Sequence, residues 1–203
     1  EAAAAAVAAC TWNDRRVRMV VGVGVASSVY TAAACAGLRS GSAPHQPLTR
    51  AELVNLTLAP RTLASTALDT MAAAGIWLVV CSNAGIPFIR HQLTTDKDNY
   101  STREDSKVTN ADEISLFMRA QLSNYYGRAN ISDEFITLLY AKVITFVDVI
   151  RARRYSSLLG PQVLTATPPV IERSLELADK LNVYVQYTTP DPMNYLDVYL
   201  TIS

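Results

Sequence analysis

Net charge is the first thing this chain lacks: 18 Lys and Arg balance 18 Asp and Glu across 203 residues. A neutral chain has no long-range attraction for nucleic acid or an anionic membrane, so such binding would have to come from a local patch. Histidine is scarce as well, with only His45 in a Pro-rich loop and His91 beside Arg90. Both read as surface residues rather than catalytic bases. There is no Gly-x-Ser-x-Gly elbow, no cysteine with a histidine close in sequence, and no His-x-x-x-His or Asp-rich loop to hold a metal. The three cysteines, Cys10, Cys35 and Cys81, are too widely spaced for a zinc ribbon or a redox pair. Each has apolar neighbours and reads as a buried free thiol, which leans towards a reducing compartment. The expectation is therefore no catalytic residue, no cofactor, no metal and no small-molecule substrate.

What the chain has is apolar surface and two interface-prone residue types. Half its residues are hydrophobic and only 18% are charged. Arginine outnumbers lysine 14 to 4, and ten of the sixteen aromatic residues are tyrosine. The planar guanidinium suits ion pairs at protein interfaces, and tyrosine buries a large ring while keeping a wet hydroxyl.

The pattern along the chain predicts a mainly α fold: one helical bundle-like domain over 1–203 with a short C-terminal β-hairpin or extended strand arm. Residues 1–18 form an N-terminal arm in this reading. Two uncharged stretches, Met19 to Leu38 and Thr70 to Ile89, read as buried core, with membrane spans as the alternative. Thr49 and Glu52 resemble a capping box with Leu48 and Leu53 as its staple, and Arg61 to about Cys81 should form one helix along the stripe Leu63, Ala67, Met71, Ala74 and Leu78. Residues 93–110 are the most polar stretch and predict a solvated surface excursion. Asn110 with Glu113 looks like a second capping box. Ser132 should cap a long helix reaching about Leu159, whose apolar face is wide enough to lie inside a bundle or under a subunit contact. A shorter helix is expected after Thr167-Pro168-Pro169. Alternation over Val183 to Tyr187 and Leu196 to Ile202 predicts a β arm over 183–203.

One motif argues for chemistry. Gly22-x-Gly24-x-x-Ser27 follows a strand-like run, and Asn83-Ala84-Gly85 follows the apolar Ile76 to Val80. Together they resemble fragments of the short-chain dehydrogenase family, which implies a dinucleotide at the Gly turn. That family also needs a Tyr-x-x-x-Lys pair, and no tyrosine here has a lysine four residues on. Small residues in tight packing are the preferred reading.

These observations predict a structural subunit of a large assembly, with a viral capsid or coat protein as the concrete form, located in the virion or host cytoplasm. Its partners would be copies of itself or other subunits, through Tyr184, Tyr187, Tyr195 and Tyr199. Enclosed nucleic acid, if contacted, would face Arg15, Arg16, Arg18, Arg151, Arg153 and Arg154. The alternatives are an accessory subunit of an organellar membrane complex and a small nucleotide-binding enzyme. The chain starts at Glu1 without an initiator Met, which reads as a processed chain or part of a longer one.

Overall fold

A computed structural model describes residues 2–24, 28–54, 56 and 63–194. The chain divides into two compact units, one made of 1–109 and 191–203, the other of 110–190.

The first unit is organised by its central strand. Gly75 takes a φ of +76°, and a Cβ there would stand 2.6 Å from the Thr94 carbonyl oxygen, so helix α3 (Ser65–Ala73) ends at a turn only glycine fits. The next residues, Ile-Trp-Leu-Val-Val, are β-branched, branched or aromatic, and they form β2 (Ile76–Cys81). Strand geometry sends alternate side chains to opposite faces. Ile76, Leu78 and Val80 join one core with Met71 and Ala72 of α3 and with α1 (Ala2–Ala9). Trp77 and Val79 join a second core with Cys35 of α2 (Ser28–Ser40), Leu48 and Leu53. Both faces are thus covered, and each fully buried aliphatic side chain contributes about 1.5–3 kcal/mol.

β1 (Met19–Gly22) pairs parallel with β2, and β3 (Pro87–His91) pairs antiparallel on its other side, giving the order β1-β2-β3. The polar stretch continues as α4 (Tyr100–Arg103) and the start of α5 (Asp105–Leu122), a helix that runs on into the second unit.

In the second unit, α6 (Asp133–Ala152) begins where the Ser132 hydroxyl accepts the Phe135 N–H at 3.2 Å. Four short strands follow, β4 (Thr165–Ala166), β5 (Val170–Arg173), β6 (Leu181–Tyr184) and β7 (Tyr187–Thr188). β5 pairs with β6 and β4 with β7, both antiparallel, so the two ladders nest as one interrupted hairpin. Pro168 and Pro169 sit at the interruption, where a residue without an N–H cannot donate to a ladder. The core here is small: Ile114, Ile150 and Val163, with Phe117 and Tyr187 packed against them.

The mainly helical bundle expected from the sequence is not what forms. The described residues hold six α-helices and three small sheets, a mixed α/β chain. The helical stripe ending at Leu78 was broken by Gly75, and its last residues are a strand. Val170 and Ile171, expected in a helix, are strand residues because two prolines hold the chain extended before them. Thr49 caps no helix; 49–50 is a turn and Glu52 bridges Phe88 of β3. Asn110 lies inside α5 and not at its start. The long helix stops at Ala152 instead of Leu159. Leu196 to Ile202 fall outside the described residues.

Candidate interaction surfaces

Apolar side chains are distributed differently in the two units. Among the described residues, sixteen hydrophobic side chains are buried in the first unit and five in the second. Large exposed hydrophobics run the other way, seven against twelve. Helix α6 shows the pattern within one element: Leu139, Val143 and Ile150 are buried, while Leu138, Tyr140 and Val149 stand in solvent. Leu158 and Leu175 are fully exposed. Two apolar cavities of about 340 and 430 Å³ share Leu122, Tyr126, Leu181 and Val183. Scattered exposed leucines are ordinary, but this density on one small unit makes it the candidate contact surface among the described residues.

Of the tyrosines expected at subunit contacts, Tyr184 is exposed and Tyr187 packs against the small core. Tyr195 and Tyr199 lie outside the described residues.

The edges of the three-stranded sheet also differ. The outer side of β3 is paired: Arg50 N–H donates to the Ile89 carbonyl at 2.7 Å, Ile89 N–H to Ala51 at 2.9 Å and Leu53 N–H to Pro87 at 2.9 Å. Among the described residues, no backbone strand lies along the outer side of β1. An edge with no described strand along it is where a further strand could add.

The arginines expected to face nucleic acid lie three in each unit. Arg18 donates from Nε to Asp105 at 2.6 Å, and Arg15 and Arg16 are exposed. Arg153 pairs with Glu113 at 3.4 Å and stacks 4.5 Å over Phe117; Arg151 pairs with Asp148 at 3.4 Å; Arg154 is exposed. At least three of the six, Arg18, Arg151 and Arg153, are therefore engaged by carboxylates of this chain.

The titratable groups in the protein's interior were expected elsewhere or not at all. Asp105 is fully buried between Arg18 and the Arg39 guanidinium, 3.6 Å away. Burial is the main cause lowering the Arg39 pKa, opposed by Asp105. Glu104 is 5% exposed, and burial pushes its carboxyl up, against Arg103 and the Asn194 hydrogen bond. His45 and His91, expected at the surface, are both buried; burial, then Arg90, holds the His91 imidazole below its usual pKa. The polar stretch 93–110 is solvated only in part: residues 97–101 are exposed, whereas Thr94, Thr95, Glu104 and Asp105 are buried. Its charges are spent on partners distant in sequence, which composition alone does not reveal. Cys10 and Cys35 are buried free thiols, and burial pushes Cys35 up to about 12. No group of three or more His, Cys, Asp or Glu able to hold a metal occurs among the described residues.

No protein-family model matches this chain, and no curated protein matches it. Solved structures do share its fold. It is similar to a chain in the six-fold symmetrised cryo-EM structure of the anti-feeding prophage baseplate, with a TM-score of 0.70 and 11% identity over 94% of this chain and 56% of the other. It is also similar to the sheath tail protein from Desulfitobacterium hafniense, with a TM-score of 0.56 and 16% identity over 88% of this chain and 46% of the other. The chain thus spans about half the length of each. At such identities the likeness is one of fold.

Proposed function

We propose that this chain is a structural subunit of a phage-tail-like assembly, of the baseplate or sheath kind, that works through subunit contacts and not by catalysis. The observation that carries the reading is a fold shared across 94% of the chain with a baseplate component. The exposed apolar side chains of the second unit, Leu138, Tyr140 and Val149 of α6 among them, support it independently, as does the outer edge of β1, on which no described strand lies. A baseplate chain and a sheath tail protein as neighbours favour a tail-like particle over the closed capsid that composition alone suggested. On this reading the chain works in the assembled particle and in the cytoplasm where the particle forms. An accessory role in a membrane complex has less support: no helix among the described residues is long and apolar enough to cross a bilayer. Nucleic acid is not needed by this reading, given that Arg18, Arg151 and Arg153 already have carboxylate partners.

Negative-stain imaging of the purified chain tests the proposal. Rings, discs or tubes of repeating subunits are the expected result. A field of separate small particles at every concentration and salt condition would count against it.

A further inference from the structure

The chain leaves the first unit after Thr109 and returns to it at Asp191. The described part of the returning segment, 191–194, is neither helix nor strand. Among the described residues it makes no backbone–backbone hydrogen bond. Its polar contacts come from side chains. Lys107 Nζ pairs with Asp191 at 2.6 Å, Asn194 Nδ2 donates to Glu104 Oε1 at 3.1 Å, and Asn194 Oδ1 accepts from the Thr49 hydroxyl at 2.9 Å. The Asp191 side chain is 65% exposed, and an ion pair so open to water contributes little. Asn194 is therefore the main grip.

The other side of that grip is fixed. Glu104 bridges Leu93, the Thr94 N–H donates to the Arg103 carbonyl at 2.8 Å, and the Asp105 N–H donates to the Gln92 carbonyl at 3.1 Å. Breaking the contact thus moves the segment before it moves Glu104. The Glu104 carboxyl is buried, and its Oε2 is shielded from solvent without a hydrogen bond. A carboxylate so poorly solvated favours its neutral form, and burial is the main cause that raises the Glu104 pKa.

We propose that 191–194 form a detachable strap, and that the charge state of Glu104 sets how firmly the strap is held. With a neutral carboxyl the strap stays down, because Oε1 still accepts from Asn194 and no buried charge calls for water. Pro192, Met193 and Asn194 line a cavity of about 350 Å³ together with Glu104, so lifting them lets water reach an ionised carboxyl. The closed state binds the proton more tightly than the open one. Its hold is complete below the open-state pKa and is lost as pH rises through the closed-state pKa. Arg103 and Lys107 favour the carboxylate and temper the effect, whereas Asp105 adds to it. Asp191 on the strap and Tyr100 and His91 on the cavity are the other ionisable groups nearby. The strap involves the first unit alone, so it stands or falls apart from the tail-like reading.

Methyl NMR of the full chain labelled at methionine tests this, because methyl signals survive in large assemblies. Met193 reports on the strap, and Met19, Met71 and Met118 are folding references. From pH 4 to 8 the Met193 signal should pass to a more mobile state while the references stay. The open-to-closed ratio should rise about tenfold per pH unit between the two carboxyl pKa values and then level off, as one proton requires. Glu104→Gln keeps an oxygen for Asn194 but cannot ionise, so its Met193 should stay held throughout. That variant leaves His91 in place and so separates the two groups. Asn194→Ala loses both Glu104 and Thr49, and its Met193 should be mobile even at pH 4. A Met193 signal in the parent chain that ignores pH, or one that responds equally in Glu104→Gln, overturns the proposal. So does a folded Asn194→Ala chain whose Met193 is still held at pH 4.

Discussion

The two units bury their apolar residues on different terms. In the first, β2 runs through the middle of a sheet with a hydrophobic cluster on each face, and α1, α2 and α3 close over them. In the second, the cluster is Ile114, Ile150 and Val163, and the 20-residue helix α6 buries Leu139, Val143 and Ile150 while Leu138, Tyr140 and Val149 stay exposed. Area removed from water sets hydrophobic stabilisation, so the first unit draws its stability from its own core. The second leaves more large apolar side chains exposed among the described residues. On the proposed reading, the contrast gives stability to one half of the chain and association to the other.

Changes in the first unit should break this contrast most severely. Asp105→Ala leaves the Arg18 and Arg39 guanidiniums without the buried carboxylate they share. Breaking a buried pair by removing one partner costs about 3–5 kcal/mol, which chemical denaturation of the variant should show. A Glu104 substitution acts in the opposite direction and more mildly. The folded-state pKa of Glu104 is raised, so its protonated form favours folding and that stability is lost as pH rises through the folded pKa. Glu104→Gln, which cannot ionise, should therefore gain stability over the parent chain as pH rises from 4 to 8. A melting-temperature difference that is flat across that range would contradict this.

In the second unit, Ser132→Ala removes the hydroxyl that accepts the Phe135 N–H and should cost about 1 kcal/mol, seen as a lower denaturation midpoint. The smallest stability effect sharpens the contrast most. Leu158→Ser replaces a side chain that touches little, so stability should change by less than about 0.5 kcal/mol. If Leu158 lies in a subunit contact, the same variant should assemble less readily, which light scattering against concentration would report.

How much of this was legible beforehand depends on the range of the interaction. Local signals held: Ser132 with its acidic followers marks a helix start, and the acidic-to-apolar pattern of α6 reads directly from the chain. Cys10 and Cys35 are in the interior, as their apolar neighbours predict, whereas Cys81 is only half-buried. Signals spanning a break did not hold. Leu63 to Leu78 keeps helical spacing straight through Gly75, and only the close approach to Thr94, nineteen positions on, shows why a glycine stands there. The polar stretch misled for the same reason. Asp105 looks like a surface charge until Arg18 and Arg39 are seen beside it, 87 and 66 residues earlier in sequence. The pairing of Glu104 with Asn194 spans 90 residues and has no local trace. Fold class failed because short apolar runs such as Ile76 to Val80 satisfy helix and buried strand alike.

Sedimentation velocity over a wide concentration range tests the assembly claim most directly. Covered apolar surface predicts species far heavier than the 22.1 kDa chain, with mass rising as concentration increases. A single sharp boundary at the monomer mass throughout, from a chain folded in both units, would contradict it.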